Sequence, residues 1–173
     1  MKPLFALALA CLVTTPALAQ DAPATEAPTY QDDRSSPTAL IQSLYNAINR
    51  DEYLRAWSYY AGNTYALEGD AAALADYEKF KEGYAETDFV TLLTGDEVEE
   101  GAAGSTYFYL PVAIDAVDRA GQHSQFAGCY TLRLAQPTVQ DAPPYHPLHI
   151  EAGDLQPANS EALETILPAE CTP

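Results

Sequence analysis

The segment 101–136 constrains the fold of this chain more than any other, because two runs of alternating residues flank a polar turn. Residues 105–110 read Ser-Thr-Tyr-Phe-Tyr-Leu, and across 125–134 the even positions are mostly aromatic or aliphatic. Such alternation is typical of strands that bury one face. Asp118 and Gly121 provide turn chemistry between the runs. The segment therefore predicts a long antiparallel hairpin at the centre of a sheet.

Two residues predict irregularities within this hairpin, and its second strand predicts two unlike faces. Pro111 lacks an N–H, which predicts a bulge or an edge position. Gly128 in mid-strand predicts a kink or a close approach of another backbone. One face would pack on the core, and the wet face would carry Gln125, Ala127, Thr131 and Arg133.

The first residues have the pattern of a secretory signal peptide. Lys2 precedes an apolar run, and Ala-Leu-Ala at 17–19 forms a small-residue cleavage site. This run is too short to span a bilayer, and no later stretch reaches the ~20 apolar residues that a span requires. We therefore predict cleavage after Ala19 and a periplasmic or secreted protein without a membrane span. A lipoprotein acylated at Cys11 is the alternative.

Composition restricts the class of partner. The predicted signal peptide, residues 1–19, contains only Lys2 of the 8 basic residues, so 7 basic residues remain against 25 acidic ones. Such an acidic surface disfavours nucleic acid and anionic membranes. With Cys11 removed, Cys129 and Cys171 remain, and an even cysteine count in an exported chain predicts one disulfide. This bond would tie the C-terminal tail, residues 157–173, to the sheet.

Three short helices are predicted before the sheet. Residues 20–36 are rich in proline, alanine and acidic residues, which predicts a disordered leader. Ser36 and Pro37 are a helix start, and Asp51 and Asp70 are candidate caps for two further helices. The apolar stripe of the first helix comprises Leu40, Ile41, Leu44, Tyr45 and Ile48.

Strands follow these helices, so the order of elements predicts an α+β fold. Residues 87–95 and 148–152 predict a strand before and a strand after the hairpin, 96–104 an acidic loop, and 161–167 a helical turn.

Four segments taken in order resemble a known superfamily. They are Leu-Tyr-Asn-Ala-Ile-Asn-Arg-Asp-Glu-Tyr-Leu-Arg-Ala-Trp at 44–57, Phe-Lys-Glu-Gly-Tyr at 80–84, residues 101–105 with 107–112, and Phe-Ala-Gly-Cys-Tyr-Thr-Leu-Arg at 126–133. Together they are similar to exported members of the nuclear transport factor 2-like, or cystatin-like, superfamily. The resemblance covers residues 37–156. It implies a cone, in which N-terminal helices pack in the concave face of a curved antiparallel sheet around a pocket.

The resemblance implies a pocket but no particular activity. The superfamily includes ketosteroid isomerases, polyketide cyclases and non-catalytic binding or dimerising modules, and fold alone does not decide among them. Aromatic residues with a polar tip would suit a flat or amphipathic ligand. The candidate lining residues are Tyr45, Trp57, Tyr60, Tyr84, Tyr107, Tyr109 and Tyr130.

The sequence favours a binding module over an enzyme. It has no Gly-x-Ser-x-Gly elbow and no phosphate loop, and His146 and His149 would point to opposite faces of a strand. We therefore predict no metal and no cofactor, and a small molecule or an envelope protein as partner. The alternatives are an isomerase or cyclase with Asp88 or Asp115 as base, and a module that forms homodimers through the wet face.

Overall fold

The computed structural model describes residues 27–61, 71–159 and 162–173. In these residues the fold is α+β, as predicted. The helices are α1 (Pro37–Ile48), α2 (Tyr53–Trp57), α3 (Ala71–Gly83) and α4 (Leu163–Ile166). The strands are β1 (Thr87–Thr94), β2 (Val98–Ala102), β3 (Ser105–Asp118), β4 (His123–Ala135) and β5 (His149–Ala158), and a 3₁₀ turn spans Pro137–Val139.

The five strands form one curved, unclosed antiparallel sheet in the order β1-β3-β4-β5, with β2 also paired to β3. The predicted hairpin is β3–β4, whose register runs from Ser105 opposite Ala135 to Val117 opposite His123. Gly121 has a φ of 77° in the connecting turn, a conformation that glycine adopts without strain. The hairpin prediction is confirmed.

Pro111 lies in the central strand β3, so the predicted edge position is wrong. Its carbonyl accepts a hydrogen bond from the Gly95 N–H (2.9 Å), and pairing with β1 ends at Val112 while pairing with β2 begins at Tyr109. In an antiparallel strand the N–H and C=O of one residue point to the same side. The missing donor therefore faces the gap between β1 and β2, and no ladder bond to β4 is lost.

Gly128 confirms the predicted close backbone approach. A Cβ at this position would lie 1.9 Å from the Asp154 carbonyl oxygen of β5. On the same strand pair the Tyr130 ring covers Gly153, where a Cβ would lie 2.6 Å from a ring carbon. Two glycines thus allow β5 to approach β4 closely and leave room for one aromatic ring on the inner face.

Helix α1 packs its apolar stripe against the inner face of the sheet. The Ser36 hydroxyl caps the helix by accepting from the Ala39 N–H (3.1 Å), as predicted. All five stripe residues belong to the buried core. Asn49, just after the helix, donates to the Val90 carbonyl (2.9 Å) and accepts from the Val90 N–H (2.7 Å), so its amide fixes the helix to β1.

The leader is not disordered throughout, because residues 28–36 dock on α1 and α2. The Gln31 N–H donates to Asn46 Oδ1 (3.0 Å) and the Asp33 N–H to Ser43 Oγ (2.8 Å). Arg50 and Arg55 donate to carbonyls of the same segment. The prediction from composition missed these partners because they lie far along the chain.

Helix α2 begins without the predicted aspartate cap. Asp51 has a φ of 57°, Glu52 stands at the cap position, and no side chain bonds the first turn. The Asp51 carboxylate accepts from the Tyr53 hydroxyl (2.8 Å) instead. Asp70 lies outside the described residues, as do the predicted signal peptide and Cys11.

The C-terminal tail crosses the outer face of the sheet and is tied to it by the predicted disulfide between Cys129 and Cys171. Pro111 and Ala113 of β3 point to this face and are fully buried, and Leu167 lies close to Gly95. The middle of the face is therefore covered, while Gln125, Ala127, Thr131 and Arg133 are partly exposed. No helix in the described part is long and apolar enough to cross a membrane.

Candidate functional site

A cavity of about 680 Å³ lies between α2, α3 and the inner face of the sheet. Its size falls within the range of ligand pockets, about 300–1,000 Å³. Most of its lining residues are aromatic or aliphatic. They are Tyr45, Trp57, Tyr60, Asp76, Lys79, Phe80, Gly83, Tyr84, Thr87, Val90, Ile114, Ala116, Phe126, Tyr130, Gly153 and Leu155.

The periodicity of side chains along helix α1 and strand β4 directs these residues into the cavity. Tyr45 projects from the apolar stripe of α1, and Tyr130 shares the inner face of β4 with Phe126 and Leu132. Tyr130 fits because its neighbour on β5 is Gly153. Helix α1 and strands β4 and β5, which are distant in the sequence, therefore meet at the Tyr130 ring.

The rings of α2 and α3 form the outer wall of the cavity. Trp57 lies 5.2 Å from Phe80 and 6.0 Å from Tyr60 between ring centroids, and Phe80 lies 5.2 Å from Tyr84. Tilted and edge-on rings at these separations attract each other beyond the burial of their surface. No residue of α3 is fully buried, and the Phe80 ring packs this helix against Trp57 of α2.

Two tyrosine hydroxyls form a buried hydrogen bond inside the cavity. The Tyr45 and Tyr130 hydroxyls are 2.9 Å apart, and Tyr60 lies close enough to interact electrostatically with Tyr130. Tyr84, partly buried, lies close enough to interact electrostatically with all three. The bonded pair places two hydroxyls inside a largely apolar cavity.

The tyrosines of the cavity resist ionisation. Burial, more than the neighbouring phenols, raises the pKa of Tyr45, Tyr60, Tyr84 and Tyr130 above its ordinary value. Desolvation disfavours the phenolate in a site without a buried cation. These hydroxyls therefore stay neutral and remain hydrogen-bond donors throughout the physiological pH range.

We expect alkaline titration of the phenols to show these shifts. Since the folded pKa values exceed the unfolded ones, folding stability is complete below pH ~10 and falls as the pH rises further. Tyr53 and Tyr59, with pKa values raised to about 12, act in the same direction. Absorbance at 295 nm should show the exposed tyrosines ionising first and the rest together with unfolding. Ionisation of every tyrosine near pH 10 in the folded protein would contradict the site.

The charged residues in the described lining are Asp76 and Lys79, and both are exposed. They lie on α3, at the rim of the cavity. Among the described residues, the interior therefore offers hydrogen bonds and apolar surface, and its charged groups lie at the rim.

The structure brings five of the seven predicted lining residues to this cavity, namely Tyr45, Trp57, Tyr60, Tyr84 and Tyr130. It does not bring Tyr107 and Tyr109 there. On β3 they alternate with Phe108 and Leu110, which pack on the core, so they occupy the outer face. The Arg133 guanidinium lies 5.7 Å above the Tyr107 ring on that face.

Neither candidate carboxylate base reaches the cavity. Asp88 is exposed on β1. Asp115 is on the outer face of β3, where its Oδ2 lies 2.9 Å from His123 Nδ1. Within the described residues, no group of three or more histidine, cysteine or acidic side chains is placed to hold a metal ion.

Sequence reasoning missed several lining residues, including Phe80, Gly153 and Leu155. Phe80 belongs to the helical stripe of α3, so its spacing from Tyr84 was an available signal. Gly153 has no side chain, and only the register of β5 against β4 reveals its part.

Comparison with known proteins adds little to these observations. The chain matches no protein-family profile, and no curated protein matches it in sequence. Among solved structures, a crystal structure from Streptomyces avermitilis, described as a proposed dehydratase of the NTF2-like family, is similar with a TM-score of 0.46 and 10% identity. The similarity covers 71% of this chain and 94% of that one. At this TM-score it carries no argument.

Proposed function

We propose that this chain is an exported binding module of the cell envelope that takes a flat, neutral, amphipathic small molecule into the tyrosine-lined cavity. The observation that carries the proposal is the buried, hydrogen-bonded hydroxyl pair of Tyr45 and Tyr130 within an aromatic cavity of about 680 Å³. Ligand pockets combine apolar walls with a few fixed polar groups in this way.

The electrostatics of the cavity support a neutral ligand. Burial disfavours the phenolate form of its tyrosines, and a bound anion would meet the same desolvation. Asp76 and Lys79 lie at the rim, too exposed to neutralise a charge held deep inside. A neutral molecule avoids this penalty.

Proton accounting supports a ligand that accepts a hydrogen bond. The Tyr45 and Tyr130 hydroxyls carry two protons, and one proton is used in the bond between them. The other remains to be donated outside the pair. A carbonyl or ether oxygen on a flat apolar body fits this donor.

Binding is better supported than catalysis. A proton-transfer mechanism needs a base within reach of the substrate, and neither Asp88 nor Asp115 lines the cavity. The carboxylate in the described lining is that of Asp76, which is exposed. The hydroxyl pair is therefore assigned to recognition.

Export rests on the sequence of residues 1–19 and on the disulfide. The Cys129–Cys171 bond is compatible with an oxidising compartment such as the periplasm.

A pair of matched substitutions tests the cavity. We expect Tyr130→Phe to weaken binding of prodan, a flat neutral naphthyl ketone with environment-sensitive fluorescence, by about fivefold, because a buried hydrogen bond contributes about 1 kcal/mol. Tyr109→Phe removes the same hydroxyl from the outer face and should leave binding unchanged. Fluorescence titration of both variants and of Trp57→Ala checks this. Equal affinities for the three variants and the wild type would show that prodan does not bind in the cavity.

A further inference from the structure

Residues 28–36, here called the docked leader, contact α2 from the side opposite the cavity. The Arg34 guanidinium donates to the Ser58 carbonyl (3.1 Å) and hydroxyl (2.9 Å) and lies 4.4 Å above the Tyr59 ring. The Tyr59 hydroxyl donates to Asp32 (2.8 Å), and Arg55 donates to the Gln31 carbonyl (2.6 Å).

The same short segment supplies part of the cavity wall. Trp57 ends α2 and Tyr60 follows three residues later, and both rings line the cavity. Between them, Ser58 and Tyr59 face the docked leader. One segment of four residues therefore contacts the leader on one side and the cavity on the other.

Helix α2 cannot hold these rings by its own stability. It has five residues and no side-chain cap, and helices this short are unstable in isolation. The residues just after it are fixed to β5, where the Ile150 N–H donates to the Tyr59 carbonyl (2.8 Å). Arg55 donates to Asn46 of α1 (3.0 Å), and the leader adds its own contacts to Ser58 and Tyr59.

The arginines indicate that the contact between the leader and α2 is specific. The chain has 8 basic residues against 25 acidic ones. Three of the basic residues take part in this contact. Arg50 and Arg55 donate to carbonyls of the leader, and Arg34 of the leader donates to the Ser58 carbonyl just after α2. Arginine binds such acceptors with several fixed donors at once.

We propose that the docked leader is a clamp on the cavity. Docking holds α2 so that Trp57 and Tyr60 close the outer wall, and release of the leader loosens this wall and opens the cavity to solvent. By linkage, a molecule that favours the closed wall must also strengthen leader docking. The linkage to a bound molecule rests on the proposed function, whereas the effect of leader docking on the wall does not.

The only tryptophan of the chain reports on the wall directly, because Trp57 is part of it. Arg34→Ala removes the leader's bonds to Ser58 without touching the cavity. We expect acrylamide to quench Trp57 fluorescence more strongly in this variant, and prodan to bind about tenfold more weakly, within the range of coupled sites. Arg133→Ala, which removes one arginine from the outer face, should match the wild type in both measurements.

A second variant and a second measurement protect the test from a folding defect. If Arg34→Ala loses its cooperative unfolding transition, Asp32→Asn weakens the Tyr59 contact more gently and should shift quenching in the same direction. In the wild type, prodan should slow hydrogen exchange of the Gln31 and Asp33 amides, which bond Asn46 and Ser43.

The outcomes separate the two proposals. Trp57 quenching that is unchanged in folded Arg34→Ala and Asp32→Asn would overturn the clamp, whatever prodan does. Increased quenching, with no binding of prodan to the wild type, would support the clamp and count against the proposed ligand class. Tight prodan binding without any change in leader exchange would overturn the linkage.

Discussion

Replacing Gly128 with alanine is expected to lower the free energy of unfolding by about 3 kcal/mol or more, at the upper end of overpacking effects. A Cβ on Gly128 would lie 1.9 Å from the Asp154 carbonyl oxygen, and 2.9 Å from the Leu155 Cα. These are backbone atoms of β5 and cannot rotate away, so the β4–β5 pair must separate. Because Leu155 and Gly153 line the cavity, separation also deforms the site.

Gly101→Ala provides the matched control. Gly101 is also in a strand, β2, but a Cβ there meets no atom within 4 Å. Its substitution should change stability by no more than about 0.5 kcal/mol, as at other open surface positions. Urea denaturation followed by far-UV circular dichroism compares the two, and equal stability of both variants would show that the β4–β5 approach is not as close as described.

Removing the disulfide is expected to have a comparable or larger effect. Cys129 and Cys171 are 42 residues apart, and the chain-entropy relation gives about 4 kcal/mol for a loop of that length. The Cys171→Ser variant should therefore unfold at a much lower denaturant concentration. Its tail should also detach and expose Pro111 and Ala113, which are fully buried beneath it.

Reduction of the wild type is the control for this substitution. If loss of the bond alone explains the effect, reduced wild type and Cys171→Ser should have the same denaturation midpoint, and limited proteolysis should cut both in the tail. A free energy of unfolding within about 0.5 kcal/mol of that of the oxidised protein in either case would mean that the disulfide and the tail contribute little.

The parts of the fold that sequence could predict are those with a local pattern. The β3–β4 hairpin follows from alternation and turn residues, and the core face of α1 follows from its apolar spacing. Prediction of the disulfide required no pattern, since only two cysteines remain after the predicted signal peptide. In each case the information lies in neighbouring residues or in a simple count.

The parts that sequence missed depend on contacts between distant residues. Strand β2 is acidic and reads as a loop, but backbone pairing with β3 forms it regardless of side chains. The leader has a disordered composition, and its order comes from arginines far along the chain. Tyr107 and Tyr109 are aromatic like the residues that line the cavity, but they lie on the outer face of β3. Only the register of the strand decides which face a residue occupies.

The proposed binding function is tested most directly by native mass spectrometry of the protein purified gently from its own envelope fraction. We expect a chain that begins at Gln20, lacks two hydrogens because of the disulfide, and carries a small neutral molecule. This added mass should disappear in Trp57→Ala and Tyr130→Phe and persist in Tyr109→Phe. A bare wild-type chain, or an added mass that survives both cavity substitutions, would contradict it.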